Sequence, residues 1–166
     1  MQLETKSAVC KPEANGGITL WTTTQGIHNV QILLGGIFDI PLSRVNVKRI
    51  TLGGSFGSSI QMNSITPICV ALALKGKRTV KLVSSREEDM YDHSSYPLKT
   101  RLKVGVKKDG TLTAAHCKVW VEIGGHNIQA YPYLGCVAGW FASLYKWQKI
   151  KYEGKAIYSN KGPSCA

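Results

Sequence analysis

No apolar run in these 166 residues reaches the roughly 18 that a membrane span needs, so no transmembrane segment is expected. The opening stretch, MQLETKSAVCKPE, lacks the apolar core of a secretory signal, and a cytoplasmic protein is the expectation. The five cysteines (Cys10, Cys69, Cys117, Cys136 and Cys165) form no CxxC pair and no Cys/His cluster. An odd, scattered set argues against a disulfide framework and a structural zinc site. Free thiols are expected, with Cys69 and Cys136 in the core because both lie in apolar helical stretches. HExxH is absent, and His28, His93, His116 and His126 are dispersed, so all four read as hydrogen-bonded or surface side chains. Nothing along the chain proposes a nucleophile–base pair.

Acidic residues are scarce as well. Twenty-one Lys and Arg face ten Asp and Glu, a net charge of +11, which suits nucleic acid, an acidic partner or an anionic ligand. The cations alternate with apolar residues, as in Leu98-Lys99-Thr100-Arg101-Leu102-Lys103-Val104, and this places Lys99, Arg101 and Lys103 on the outer face of a strand. A solvated face is the expectation. With no zinc module, basic recognition helix or aromatic-and-basic interleaving, the pattern argues against a nucleic-acid partner.

What is present is globular: 43% hydrophobic residues suffice for a core, and the length suits one domain over residues 1–166, or a piece of something larger. A hairpin is expected to pair Ser7–Glu13 with Ile18–Thr23 across Asn15-Gly16-Gly17. A helix follows over Ile27–Phe38 with Ile27, Val30, Leu34 and Ile37 on one face, then a strand at Val45–Ile50. Met62, Ile65, Cys69 and Leu72 mark a second helix, with Pro67 in its first turn and Asn63 or Ser64 as cap. A strand at Thr79–Val83, an acidic turn at Arg86–Met90 and a hairpin of Leu98–Val106 with Thr111–Ile123 around Asp109-Gly110 come next. A third helix over Tyr133–Tyr145, with Val137, Trp140, Phe141 and Leu144 inward, precedes a strand at Ile150–Tyr158. The class is α+β, a mixed β-sheet with helices mainly on one face. The end at Pro163-Ser164-Cys165-Ala166, just past a strand, reads as an interior point of a longer chain.

Three segments could carry chemistry. Gly53-Gly54-Ser55-Phe56-Gly57-Ser58-Ser59 lies between a strand and a helix, where backbone N–H groups suit anionic oxygens and the missing side chains admit a bulky ligand. It is neither a P-loop nor GxGxxG. Taken alone, a structural turn explains it equally well. Trp21-Thr22-Thr23-Thr24-Gln25-Gly26, at the exit of a strand, offers the Gln25 amide as an uncharged donor, although strand and cap chemistry also account for its threonines. Ser85-Arg86-Glu87-Glu88-Asp89-Met90 cannot converge three carboxylates on one point, so it reads as structural.

The order of the pieces is what identifies them. Leu3-Glu4-Thr5, Trp21-Thr22-Thr23-Thr24-Gln25, Gly53-Gly54-Ser55-Phe56-Gly57, Arg78 through Glu88 and Lys107-Lys108-Asp109-Gly110 together resemble the opening motifs of the molybdopterin-binding region in molybdenum hydroxylases of the xanthine dehydrogenase and aldehyde oxidase type. The resemblance covers essentially the whole chain. It implies a molybdenum cofactor, molybdopterin or its dinucleotide form, held with help from Gln25, Gly54, Phe56 and Gly57, and no direct metal ligand. It further implies hydroxylation of an aldehyde, purine or other N-heterocycle with water as oxygen source. Electrons would leave through iron–sulfur clusters and FAD on other domains or subunits, so the remaining molybdopterin-binding domain, those carriers and a small-molecule substrate are the implied partners. The family's glutamate base falls downstream, so no catalytic residue is expected within this chain and the chain alone should be inactive. Three departures stand out. Ser58 and Ser59 replace a glycine and a lysine, Ile60 replaces an acidic residue of the purine-oxidising members, and Lys6 stands where a histidine is common. Ile60 weighs against xanthine-type purine recognition. A noncatalytic module that kept the fold, and a basic nucleic-acid binder, are the alternatives.

Overall fold

Asn15-Gly16-Gly17 reverses the chain as its composition predicts: Gly16 adopts φ 77°, and Asn15 Oδ1 accepts the Gly17 N–H at 3.0 Å. The computed structural model describes residues 2–92 and 94–165. Two units divide the chain, Met1–His93 and Ser94–Ala166.

In the first unit, β1 (Ser7–Pro12) pairs antiparallel with β2 (Ile18–Thr22), and the chain then forms α1 (Ile27–Phe38), a 3₁₀ turn at Leu42–Arg44 and β3 (Val45–Lys48). Next come α2 (Ile65–Gly76), β4 (Val80–Val83) and α3 (Arg86–Asp92). The sheet order is β3-β2-β1-β4, with β2–β3 parallel and β1–β4 antiparallel. The register puts Ala8, Cys10, Ile18, Leu20 and Val45 on one face, and α1 and α2 bury Val30, Leu34, Cys69, Val70 and Ala73 against it. This is the mixed sheet with helices on one face that the pattern predicts.

Several inward faces differ from expectation. Ile37 is exposed, and Phe38 packs on the core in its place. At 100° per residue Phe38 lies about 40° from the buried Leu34 and Ile37 about 60° from it on the other side, so periodicity separates them only narrowly. Leu72 is likewise exposed while Val70 and Ala73 are buried, and Met62 packs on the core from ahead of α2. Pro67 does sit in the first turn, but Ser64 at the N-cap position bonds Asp92 through its hydroxyl and does not cap. The strand expected to reach Ile50 ends at Lys48.

The second unit holds β5 (Ser94–Ser95), β6 (Leu98–Val106), β7 (Leu112–Gly124), α4 (Ala130–Ser143), β8 (Lys149–Tyr158) and β9 (Ser164–Cys165). β6 and β7 form the expected hairpin, with Gly110 at φ 86°. β8 lies parallel to β7, a pairing that needs a crossover, and α4 supplies it. These three strands form their own sheet, and β5 and β9 pair separately, so the described strands make three sheets where one was expected. Val119, Val121 and Ile123 bury one face under Ala130 and Leu134, with Tyr133, Val137 and Phe141 alongside. Trp140 and Leu144, expected inward, are exposed: Trp140 lies at the edge of the face formed by Ala130, Leu134, Val137 and Phe141, and Leu144 falls just past the helix end. On the opposite face Lys99, Arg101 and Lys103 stand across from Trp120, Lys118 and His116, the solvated placement that alternation predicts.

Cys10, Cys69, Cys117 and Cys136 are free thiols, and Cys165 is buried against Gln129. Burial pushes Cys10 up to about 12, helped by neighbouring Cys69, and burial also raises Cys69 and Cys117. Cys136, expected in the core, is exposed, since α4 turns Leu134 and Val137 inward and leaves that position outside. Thiolate is the reactive form. An aromatic disulfide reagent at pH 8 should therefore label Cys136 rapidly in the native chain and the four buried thiols only after denaturation. A second fast equivalent in native buffer would contradict this packing.

Candidate functional site

The three threonines at the end of β2, Thr22 to Thr24, are anchored one by one. Thr22 Oγ1 lies 2.8 Å from Thr66 Oγ1, and Thr23 Oγ1 both accepts the Ser7 N–H at 2.7 Å and donates to Ser7 O at 2.9 Å. Thr24 Oγ1 accepts the Gly26 N–H at 3.0 Å. Asn63 Nδ2 donates to Thr23 O at 2.9 Å, tying the start of α2 to the same corner. The threonines are thus structural, and they fix the backbone from which Gln25 projects at the mouth of α1.

Gln25 and the glycine-rich loop meet directly. The Gln25 N–H donates to Ser59 O at 2.8 Å, while Gln25 Oε1 accepts from the Ser55 hydroxyl at 2.7 Å and the Gly57 N–H at 3.1 Å. A backbone N–H can only donate, so the atom facing it is the amide oxygen. The side-chain NH2 is then the outward end of an exposed residue.

Within the loop, the Ser58 N–H donates to Ser55 O at 3.0 Å and the Ile60 N–H to Gly57 O at 3.1 Å. Ser55 Oγ also accepts the Ser59 N–H at 3.1 Å. Gly54 and Gly57 adopt φ 103° and 96°, and Phe56 adopts φ 51°, a region an aromatic residue rarely visits. Phe56 is 83% exposed. A Cβ on Gly54 would lie 2.9 Å from the Phe56 ring, and one on Gly53 would lie 2.6 Å from the Glu4 carboxylate. Glu4 Oε1 is buried without a hydrogen-bond partner among the described residues.

Beneath the loop sits an ion cluster that the sequence pattern does not announce. Lys6 Nζ donates to Asp89 Oδ1 at 3.2 Å and to Ser58 Oγ at 3.1 Å. Asp89 Oδ2 accepts from Arg86 Nη1 and from Gln2 Nε2, each at 3.1 Å. The Lys6 and Asp89 side chains are 3% and 1% exposed. Arg86 also donates to the carbonyls of Gln2 and Leu3. The acidic segment is structural as expected, since Ser85 and Glu88 form a reciprocal capping pair at the start of α3. Its third carboxylate is the buried one, and only the Arg86–Asp89 spacing hinted at a partner.

The histidines play no part in this site. His28 and His126 are exposed, and His93 lies outside the described residues. His116, in the second unit, bonds Glu153 at 2.7 Å. Hydrogen bonds from Lys151 first, then His116 and Lys118, hold the Glu153 carboxyl down at about 2. Among the described residues no three His, Cys, Asp or Glu groups could share a metal ion.

An oriented side-chain amide and an exposed aromatic beside a loop with glycines at positive φ suit a large, oxygen-rich ligand. Known proteins point the same way. The molybdopterin cofactor-binding domain family matches residues 1–166. A probable xanthine dehydrogenase subunit of Bacillus subtilis (strain 168) is 31% identical over 161 residues, 96% of this chain and 22% of its own length. The nicotinate dehydrogenase large molybdopterin subunit of Eubacterium barkeri is 26% identical, over 100% of this chain and 39% of its own. Among solved structures, aldehyde oxidoreductase from Desulfovibrio gigas superposes with a TM-score of 0.90 at 21% identity, covering 100% of this chain and 18% of that one. Quinoline 2-oxidoreductase from Pseudomonas putida 86 gives 0.87 at 22%, covering 99% and 22%. These two structural likenesses show a shared fold, and the chain spans well under half the length of the relatives it matches. By motif order, fold and family match, the chain belongs to the molybdopterin cofactor-binding domain family.

Proposed function

We propose that this chain is part of the molybdopterin-binding subunit of an oxidoreductase that hydroxylates an aldehyde or N-heterocycle, taking the oxygen from water. When bound, the molybdenum cofactor supplies the two-electron oxidation that this chemistry requires. The chain's own residues hold and orient. The observation that carries the reading is the Gln25 amide, whose oxygen is locked by Ser55 and Gly57 so that its NH2 end faces outward beside Phe56. A neutral donor fixed in this way suits an oxo or carbonyl oxygen without adding charge. Gly54 and Gly57, both at positive φ, bring the main chain close to a ligand, and the Phe56 ring gives it an apolar wall. The buried, unpartnered Glu4 Oε1 beside the loop fits a ligand edge rich in N–H donors, as a pterin is. The donor set therefore fits the group.

Under this reading the general base, the iron–sulfur and flavin carriers and the rest of the pocket belong to other segments or subunits, and the location is cytoplasmic. No helix among the described residues is long and apolar enough to cross a membrane. Ile60 in place of a carboxylate favours substrates other than xanthine-type purines.

Gln25→Glu isolates the role of the amide. It keeps an acceptor for Ser55 and Gly57 and replaces the NH2 donor with a second acceptor. In the complete enzyme, turnover per bound molybdenum should fall about a hundredfold, the effect of losing an oxyanion-type donor worth ~3 kcal/mol. Unchanged turnover in the fully metallated variant would mean that Gln25 only ties the loop together.

A further inference from the structure

We propose that Lys6 is a positioning residue, whose buried ammonium acts through Ser58 to hold the Gly53–Ser59 loop in the conformation that fixes the Gln25 amide. Its consequence for the cofactor rests on the reading above, but the positioning itself does not.

The hydrogen bonds run in one direction. Lys6 Nζ can only donate, and it donates to Ser58 Oγ at 3.1 Å. The Ser58 hydroxyl is thereby left to donate to Ser55 O at 2.8 Å, the carbonyl that also receives the Ser58 N–H. Ser55 in turn donates its hydroxyl to Gln25 Oε1 and accepts the Ser59 N–H. Two serines, Ser58 through the Ser55 carbonyl and Ser55 through its own hydroxyl, therefore link a buried cation to the exposed amide. The stretch they clamp contains Phe56 and Gly57 at positive φ, a backbone that the local sequence does not favour for an aromatic residue.

An ion pair alone does not account for the lysine. Asp89 already receives Arg86 and Gln2 on Oδ2, so it would keep charge and hydrogen-bond partners without Lys6. Apolar replacement of buried ion pairs is often neutral or stabilising, so the pairing is weak support for a purely structural role. What a lysine adds that an apolar side chain cannot is the donor to Ser58. Lys6 and Ser58 are also two of the positions at which the chain departs from the family pattern, and here those departures meet.

The test uses the 166-residue chain, 15N-labelled and without cofactor. In Ser58→Ala and Lys6→Met, the Gly57 and Ser59 amides should exchange about tenfold faster, the factor expected for losing one charge-assisted hydrogen bond. The Gln25 side-chain amide resonances should move toward those of a free glutamine. Amides of Cys10 and Leu20 in the sheet should keep their protection, which a general loss of stability would not permit. Ser58→Thr, which retains the hydroxyl, should restore wild-type exchange at Gly57 and Ser59. Changes below about twofold at those two amides in Ser58→Ala would overturn the proposal, and that variant reads the bond even where Lys6→Met fails to fold. Because no cofactor is present, this outcome is independent of the Gln25→Glu result, which alone decides the cofactor reading.

Discussion

Asp89→Asn should destabilise the first unit by about 3–5 kcal/mol, a large share of the stability of a small domain. Among the described residues Asp89 is the one carboxylate bonded to both Lys6 and Arg86, and the Lys6 side chain is 3% exposed. Asparagine fills the same space and still accepts hydrogen bonds, so the loss measures charge and not volume. It leaves a lysine ammonium in the interior with no counter-charge and no access to water, the costly way to break a buried pair. Lys6→Met should cost less, about 1–3 kcal/mol: it removes hydrogen bonds to Asp89 Oδ1 and Ser58, but Asp89 keeps Arg86 as a counter-charge and Gln2 as a donor. Urea melts of the two variants supply the comparison. Equal losses, or a Lys6→Met loss exceeding that of Asp89→Asn, would show that the cluster's charges are not distributed as the geometry indicates.

That cluster marks the limit of what could be read along the chain. Lys6 lies 83 residues from Asp89 and 52 from Ser58, and no local pattern encodes such a meeting. Lys6 was legible only as a residue unlike its family's usual histidine, and Asp89 only as one acid of three. Local chemistry was legible wherever one residue type dictates the backbone. Asn15-Gly16-Gly17 and Asp109-Gly110 supply the positive φ that their hairpins need, and both hairpins form. The loop and Gln25 were each weak signals. Their significance comes from meeting, with Gln25 Oε1 on the Gly57 N–H, and that required the fold. The errors in face assignment share one cause. α1 and α4 carry apolar residues almost all round, so periodicity could not separate Ile37 from Phe38 or Trp140 from Leu134, and packing made the choice. The division into three sheets was hidden for a related reason: β8 reads as one more strand, and only its parallel pairing with β7 separates it from the first sheet.

Gly57→Val should abolish molybdenum loading in the complete subunit while the isolated chain remains folded. In the chain the cost is backbone strain. Gly57 sits at φ 96°, where a β-branched side chain is strongly resisted, and such strain is worth about 1–3 kcal/mol. The neighbouring Phe56, already at φ 51°, shows that this loop carries a strained non-glycine residue without losing its turn. The Gly57 N–H bond to Gln25 Oε1 should weaken, which lowers the melting temperature of the chain by several degrees without removing the transition. If the loop holds the cofactor as proposed, the same side chain in the subunit would fill the space of close approach to the main chain, and a close-packed site cannot absorb an isopropyl group. The two measurements are a thermal melt of the isolated chain and molybdenum per subunit in the full-length protein, each against Gly57→Ala. Alanine adds strain but little bulk, so it should retain part of the metal while valine retains none. If the valine chain fails to fold and the valine subunit still carries molybdenum, the glycine serves the turn and not the ligand, and the assignment of Gln25, Gly54, Phe56 and Gly57 to the cofactor falls with it.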